Sequence, residues 1–237
     1  MQIIGHRGAR GEAPENTLGG FRYLHDLGIR AVEFDVRQLA DAALTIIHDD
    51  NLLRTAGINY AVKDCTQDDL CRFNQAKHWE SWPQPENVPL LGQVLSLIHD
   101  FEHIEVEVKA VETEQDAEKL IAHLQQQLQP FQQQITITSF DLKILNALKS
   151  QQSAFKRGLL VEIPIGEHAI EIAHQYDCAR IGWKDALVNP SIVKLSHQAG
   201  LAVSIWTVND IDRAKQLHDY GVEGLITDFP KVMLENL

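Results

Sequence analysis

Apolar positions along the chain fall into two kinds of run that take turns. Short stretches rich in β-branched residues predict strands at 2–6, 31–36, 44–48, 104–109, 135–139, 158–162, 179–183, 202–208 and 224–228. Between most of them, apolar residues recur at helical spacing over 17–27, 90–101, 112–129, 141–150, 169–176, 190–199 and 211–220. The helices carry end signals: Thr17, Asp141 and the pair Asn209-Asp210 stand where an N-cap is wanted. Gly28, Gly200 and Gly221 follow helices, where a left-handed C-cap favours glycine.

Strands alternating with helices predict a parallel sheet of βα units. Nine strands is one too many for an eight-stave barrel, and the spacing shows which is extra. Only seven residues separate position 36 from the 44–48 run, too few for a parallel crossover, so it returns antiparallel in a hairpin. Eight βα repeats remain, and the predicted fold is a single α/β domain over 1–237, a (β/α)8 TIM barrel with one added hairpin strand. An open doubly wound sheet is the alternative, but no Gly-x-Gly-x-x-Gly follows the first strand. Residues 50–88, with Trp79, Trp82, Pro83 and Pro85, break the alternation and predict a small insertion capping the C-terminal face of the barrel.

Composition narrows the function classes. A formal net charge of −12 is at odds with a nucleic-acid binder, which needs a concentrated basic surface. A hydrophobic content of 44% is enough for a large core. Cys65, Cys71 and Cys178 are odd in number and lack metal-ligand spacing, which predicts reduced thiols. No run approaches the roughly 18 apolar residues of a spanning helix, and no basic leader precedes the first strand. The expectation is a cytoplasmic protein without stable membrane insertion; homo-oligomerisation is left open.

Barrel active sites form where strands end, and there the ionisable residues collect. The first strand ends at His6-Arg7, the second carries Glu33 and Asp35, the hairpin returns to His48-Asp49, and the next parallel strand carries Glu105, Glu107 and Lys109. Glu33 and Asp35 are two apart and share a face, as do Glu107 and Lys109. Three carboxylates at one rim repel unless a cation lies between them, and all-oxygen donors favour a hard ion such as Mg2+ or Ca2+ over zinc. The alternative is a plain ion-pair network in which Arg7 and Lys109 neutralise the carboxylates. Hairpin geometry returns His48 to the level of Glu33 and Asp35, facing His6, so two histidines can divide proton transfer between them. With Arg7 and Lys109 to hold phosphate oxygens, the set suits a phosphoester. No P-loop is present, which argues against nucleoside triphosphate chemistry.

Gly5-His6-Arg7-Gly8 with Ala13-Pro14-Glu15-Asn16-Thr17, then Val32-Glu33-Phe34-Asp35-Val36, His48-Asp49 with Leu53-Arg54-Thr55, and Pro89-Leu90-Leu91 follow one another in the chain. Glu107-Val108-Lys109, Ser139-Phe140, Trp206-Thr207-Val208-Asn209 and Thr227-Asp228-Phe229-Pro230 complete the series. In that order, over essentially the whole chain, the sequence resembles the glycerophosphodiester phosphodiesterases. The resemblance implies a TIM barrel with a small insertion after the His-Asp element. It further implies metal-dependent hydrolysis of small-molecule glycerophosphodiesters, such as glycerophosphocholine or glycerophosphoethanolamine, to sn-glycerol 3-phosphate and an alcohol. It casts His6 and His48 as the acid/base pair, Glu33, Asp35 and Glu107 as divalent-metal ligands, Arg7 and Lys109 as phosphate contacts, and Trp206 on the glycerol side. A lysophospholipase D-like activity on the same barrel is the alternative. The sequence departs from the family pattern at Asp41-Ala42-Ala43, where an Asp-Gly turn is common, and at Ala56 after Arg54-Thr55. Glu105, facing the barrel interior, is expected to be structural, and Glu15 to brace the site from behind.

Overall fold

The structure is a computed structural model describing all residues, Met1–Leu237. Its strands are β1 (Gln2–His6), β2 (Ala31–Gln38), β3 (Leu44–Ile46), β4 (His103–Val108), β5 (Ile135–Ser139), β6 (Lys156–Val161), β7 (Arg180–Lys184), β8 (Ala202–Trp206) and β9 (Gly224–Thr227). Around the sheet they run β1-β9-β8-β7-β6-β5-β4-β2, and parallel pairing of β1 with β2 closes the ring. β3 pairs antiparallel with the end of β2, Val36 opposite Ile46, and stays outside the ring. The fold is thus a closed eight-stranded parallel barrel with the extra strand where the hairpin argument puts it.

Register decides which side chains share a level in the barrel. Glu33 lies opposite Glu105, and Asp35 opposite Glu107, across β2 and β4. The main core of 47 buried residues lies between strands and helices; Phe34, Ile104, Ile137, Ile181 and Val203 face outward into it from the sheet. Caps follow the expected chemistry. Thr17 accepts from Gly20 N, Asp141 from Lys143 N and Asp210 from Arg213 N. Gly28, Gly200 and Gly221 have φ of +81°, +74° and +84° at helix ends.

Residues 50–88 hold two four-residue helices, Leu53–Ala56 and Gln67–Leu70, too short to show a period in the sequence. A separate cluster of buried residues, including Ile47, Leu52, Val62, Leu70 and Val88, gives the segment its own small core. The C-terminal helix Pro230–Asn236 was likewise not signalled by periodicity; Pro230 occupies its first turn. All three cysteines are free, and no helix is long and apolar enough to cross a membrane.

Candidate active site

The site begins where β1 ends. After His6 the backbone turns sharply, with Arg7 at φ +51° and Gly8 at φ +90°. A Cβ on Gly5 would lie 2.0 Å from the Gly8 carbonyl oxygen, so only glycine permits the chain to fold back here. Arg7 has a side chain and still adopts the left-handed region, at a cost of about 1 kcal/mol. Its bonds account for that: its N–H donates to Glu33 Oε2 (3.2 Å), Nη1 donates to Glu15 Oε1 (2.9 Å), and Nε lies 3.3 Å from Asp35 Oδ2.

β2 and β4 bring Glu33, Asp35 and Glu107 together, with one carboxylate oxygen from each within 4.8 Å of the others. Asn16 Nδ2 donates to Asp35 Oδ2 at 2.8 Å, and Lys109 Nζ lies 2.6 Å from Asp35 Oδ1 while also pairing with Glu107. Burial alone would raise the Asp35 pKa, but Lys109 and Arg7 hold it well below the carboxylate range. Burial, then repulsion from Asp35, pushes Glu107 up to about 7 despite Lys109. Glu33 is raised well above its ordinary value, first by burial and then by Asp35 and Glu107. The two cations therefore satisfy Asp35 and leave the other two carboxylates short of positive charge. Glu33 Oε1 is buried and accepts no hydrogen bond. An all-oxygen donor set with unmet charge and an orphaned buried oxygen fits a hard divalent ion.

Each histidine has one ring nitrogen held by a carboxylate. His6 Nδ1 is 2.6 Å from Asp228 Oδ1, and Asn209 Nδ2 donates to Asp228 Oδ2 at 2.8 Å. His48 Nδ1 is 2.8 Å from Asp49 Oδ1, and Arg54 Nε donates to Asp49 Oδ2 at 2.7 Å. A carboxylate can only accept, which assigns the proton to Nδ1 and leaves both Nε2 atoms for chemistry. Burial lowers both ring pKa values; for His6 the Asp228 hydrogen bond works against this, and for His48 the charge of Asp35 does.

These groups form one wall of a cavity of about 530 Å3 at the barrel mouth, with His6, Arg7, Glu33, His48, Glu107 and Lys109 at its surface. Apolar residues complete the lining: Val108, Phe140, Leu160, Trp206 and Ile226. Trp206 is fixed by its Nε1 donating to the Gly182 carbonyl (3.1 Å) and by an edge contact with Phe140 at 5.4 Å. Seven of the eight residues singled out in the sequence thus line one cavity. Asp35 is fully buried and stands behind the wall, reaching it through Arg7 and Lys109. Glu105 forms the floor, fully buried; Arg180 at 3.5 Å and His103 at 3.0 Å offset the effect of burial and hold its pKa down. Glu15 sits between Arg7, Arg10 and Arg54; Arg54, then Arg7, depress its pKa to about 2 against the pull of burial.

The sequence marks Asn209 only as a helix-cap candidate, a place Asp210 takes, and gives no site role to Asp228, Asp49 or Arg54. Asp49 was visible beside His48, but Asp228 meets His6 across 222 residues, and no local pattern announces that pair.

A sequence model of the "Glycerophosphoryl diester phosphodiesterase family" matches residues 6–232. A glycerophosphodiester phosphodiesterase of Caldanaerobacter subterraneus subsp. tengcongensis is 27% identical over 237 residues, covering 98% of this chain and 96% of its own. A human lysophospholipase D is 24% identical over 268 residues, covering 96% of this chain and 83% of its own. Among solved structures, an Oleispira antarctica phosphodiesterase in complex with the product sn-glycerol-3-phosphate superposes with a TM-score of 0.87 at 25% identity. The match covers 100% of this chain and 96% of that one.

Proposed function

The chain belongs to the glycerophosphoryl diester phosphodiesterase family, and we propose that its barrel-mouth cavity hydrolyses glycerophosphodiesters to sn-glycerol 3-phosphate and an alcohol by two-histidine acid/base catalysis. The observation that carries this reading is the pair of carboxylate-held imidazoles, His6 on Asp228 and His48 on Asp49, opening into one cavity beside a carboxylate cluster. With Nδ1 carrying its proton, each ring offers Nε2 to accept or deliver another, so one histidine activates the nucleophile while the other protonates the departing alcohol. Arg7, buried, and Lys109, half-buried, line the cavity and bind the non-bridging phosphate oxygens, countering charge that grows in the transition state. Trp206 and Phe140 give the glycerol an apolar wall that excludes water. Glu33, Asp35 and Glu107 would hold one divalent cation, Mg2+ before Ca2+, and such an ion supplies Lewis-acid stabilisation of a phosphoryl oxygen. Residues 50–88 we read as an insertion capping the site, and the three free thiols support a cytoplasmic setting.

The test is glycerol 3-phosphate release in a coupled assay. His6→Ala and His48→Ala should each lower kcat by roughly 10²–10⁴-fold with the fold intact by circular dichroism. Near-normal turnover in either variant would remove that histidine from the mechanism. A lysophospholipase D-like activity is the second reading. Leu53, Ile58 and Tyr60 are exposed on the insertion, a surface that suits an acyl chain or a lipid aggregate. Assaying lysophosphatidylcholine beside glycerophosphocholine separates the two readings.

A further inference from the structure

A second cavity, of about 810 Å3, adjoins the first, and Arg37, Lys109 and Ala110 line both. It runs between the end of β2, the insertion around Asn59–Lys63 and the segment that follows β4. Arg37 stands at the junction. Its Nε and Nη2 donate to the His48 carbonyl (3.0 and 2.8 Å), while Nη1 donates to no group of the protein. Lys63 from the insertion pairs with Glu112 at 3.1 Å across the outer edge. A phosphate held at Arg7 and Lys109 thus has two exits, the apolar wall at Trp206 and this polar groove.

The lining of the groove points to a ligand class. Three amides, from Gln38, Asn51 and Asn59, line it. Gln38 Nε2 donates to the Ala42 carbonyl (3.3 Å), and Asn51 uses Nδ2 on Asp50 and Oδ1 on Leu53 N, so Asn59 is the amide whose donors and acceptor meet no protein group. Its charges balance, with Arg37, Lys63 and Lys109 against Asp50, Glu112 and Asp116, so it presents no net negative field to a cation. None of its 16 lining residues is aromatic. A quaternary ammonium is held by aromatic faces or a surplus of carboxylates, and the groove has neither. Paired hydroxyls, each a donor and an acceptor, match amides and balanced charges.

We infer that the groove is the subsite for the departing alcohol and that it selects uncharged polyols, such as an inositol or a second glycerol, over choline and ethanolamine. This rests on the phosphodiesterase reading of the adjoining site. The Arg37 Nη1 donor reaches the hydroxyl nearest the phosphate, and Asn59 reads the next one.

The experiment measures kcat/KM of the Mg2+-loaded protein for glycerophosphoinositol, glycerophosphoglycerol, glycerophosphocholine and glycerophosphoethanolamine, in the wild type and in Asn59→Leu. Two polyol diesters preferred by about tenfold or more support the inference, that being the effect of about one neutral hydrogen bond. Asn59→Leu should then lower the inositol-to-choline ratio several-fold. Choline turned over as well as inositol, or an Asn59→Leu loss equal for all four diesters, overturns it. Absence of glycerol 3-phosphate from every diester overturns instead the hydrolase reading beneath, and the inference with it.

Discussion

Asp228 holds His6 from 222 residues away in the chain. It accepts from His6 Nδ1 at 2.6 Å, and Asn209 supports it twice, by Nδ2 to its Oδ2 and by Oδ1 accepting from its backbone N–H. An amide at position 228 keeps the shape but can present a donor to Nδ1, which favours the wrong tautomer. Asp228→Asn is therefore expected to lower kcat on the order of a hundredfold with KM little changed, read by steady-state kinetics; an equal fall in both would mark a merely structural role. Glu15 governs stability in acid. Its folded pKa of about 2 lies below the ordinary 4.5, so the folded state binds fewer protons and the gain is full above about pH 4.5. That gain, on the order of 3 kcal/mol, is lost as pH falls from about 4.5 to 2. Denaturant melts of wild type and Glu15→Gln should differ most at neutral pH and converge only as pH approaches about 2; a constant gap would contradict the assignment.

At the scale of elements, the β2–β3 hairpin meets two demands with one imperfect turn. It must bring His48 back to Asp35, and Ile47 N donates to the Asp35 carbonyl at 3.1 Å in doing so. The turn puts Ala42 at φ +65°, a conformation that disfavours any Cβ. Ala42 is exposed and remote from the cavity, so Ala42→Gly should stabilise the protein by up to about 1 kcal/mol without altering kcat. A lower denaturation midpoint in Ala42→Gly would show that chain entropy outweighs the strain. The insertion is fastened at several points. Arg54 grips Glu15 and Asp49, Gln75 Nε2 donates to the Asn16 carbonyl, and Glu86 accepts from Gly19 N. Through Asn16 and Asp49 these ties reach Asp35 and His48, so the segment with its own small core braces the site.

Across the whole molecule, the test of the carboxylate cluster is whether a cation stabilises the fold. If Glu33, Asp35 and Glu107 bind Mg2+, a hundredfold excess over Kd adds about 2.7 kcal/mol, roughly 5–10 °C in Tm for a chain of this length. Glu33→Gln should abolish the shift, and EDTA should stop turnover until Mg2+ or Ca2+ is restored. No shift in the wild type would favour the ion-pair network of Arg7 and Lys109 alone. The chain's order of strands and helices, the hairpin at Leu44–Ile46, the shared face of Glu33 and Asp35, and the two histidines at strand ends were legible beforehand, because each depends on spacing within a few residues. The family resemblance, too, was legible in the ordered motifs. Other features became visible only in the closed barrel. Closure brings β9 beside β1 and so Asp228 to His6, lets Arg180 of β7 reach Glu105 of β4 in the interior, and sets Asp35 behind the cavity wall. Local periodicity determines which face a residue takes, whereas register and ring closure determine which distant residue it meets.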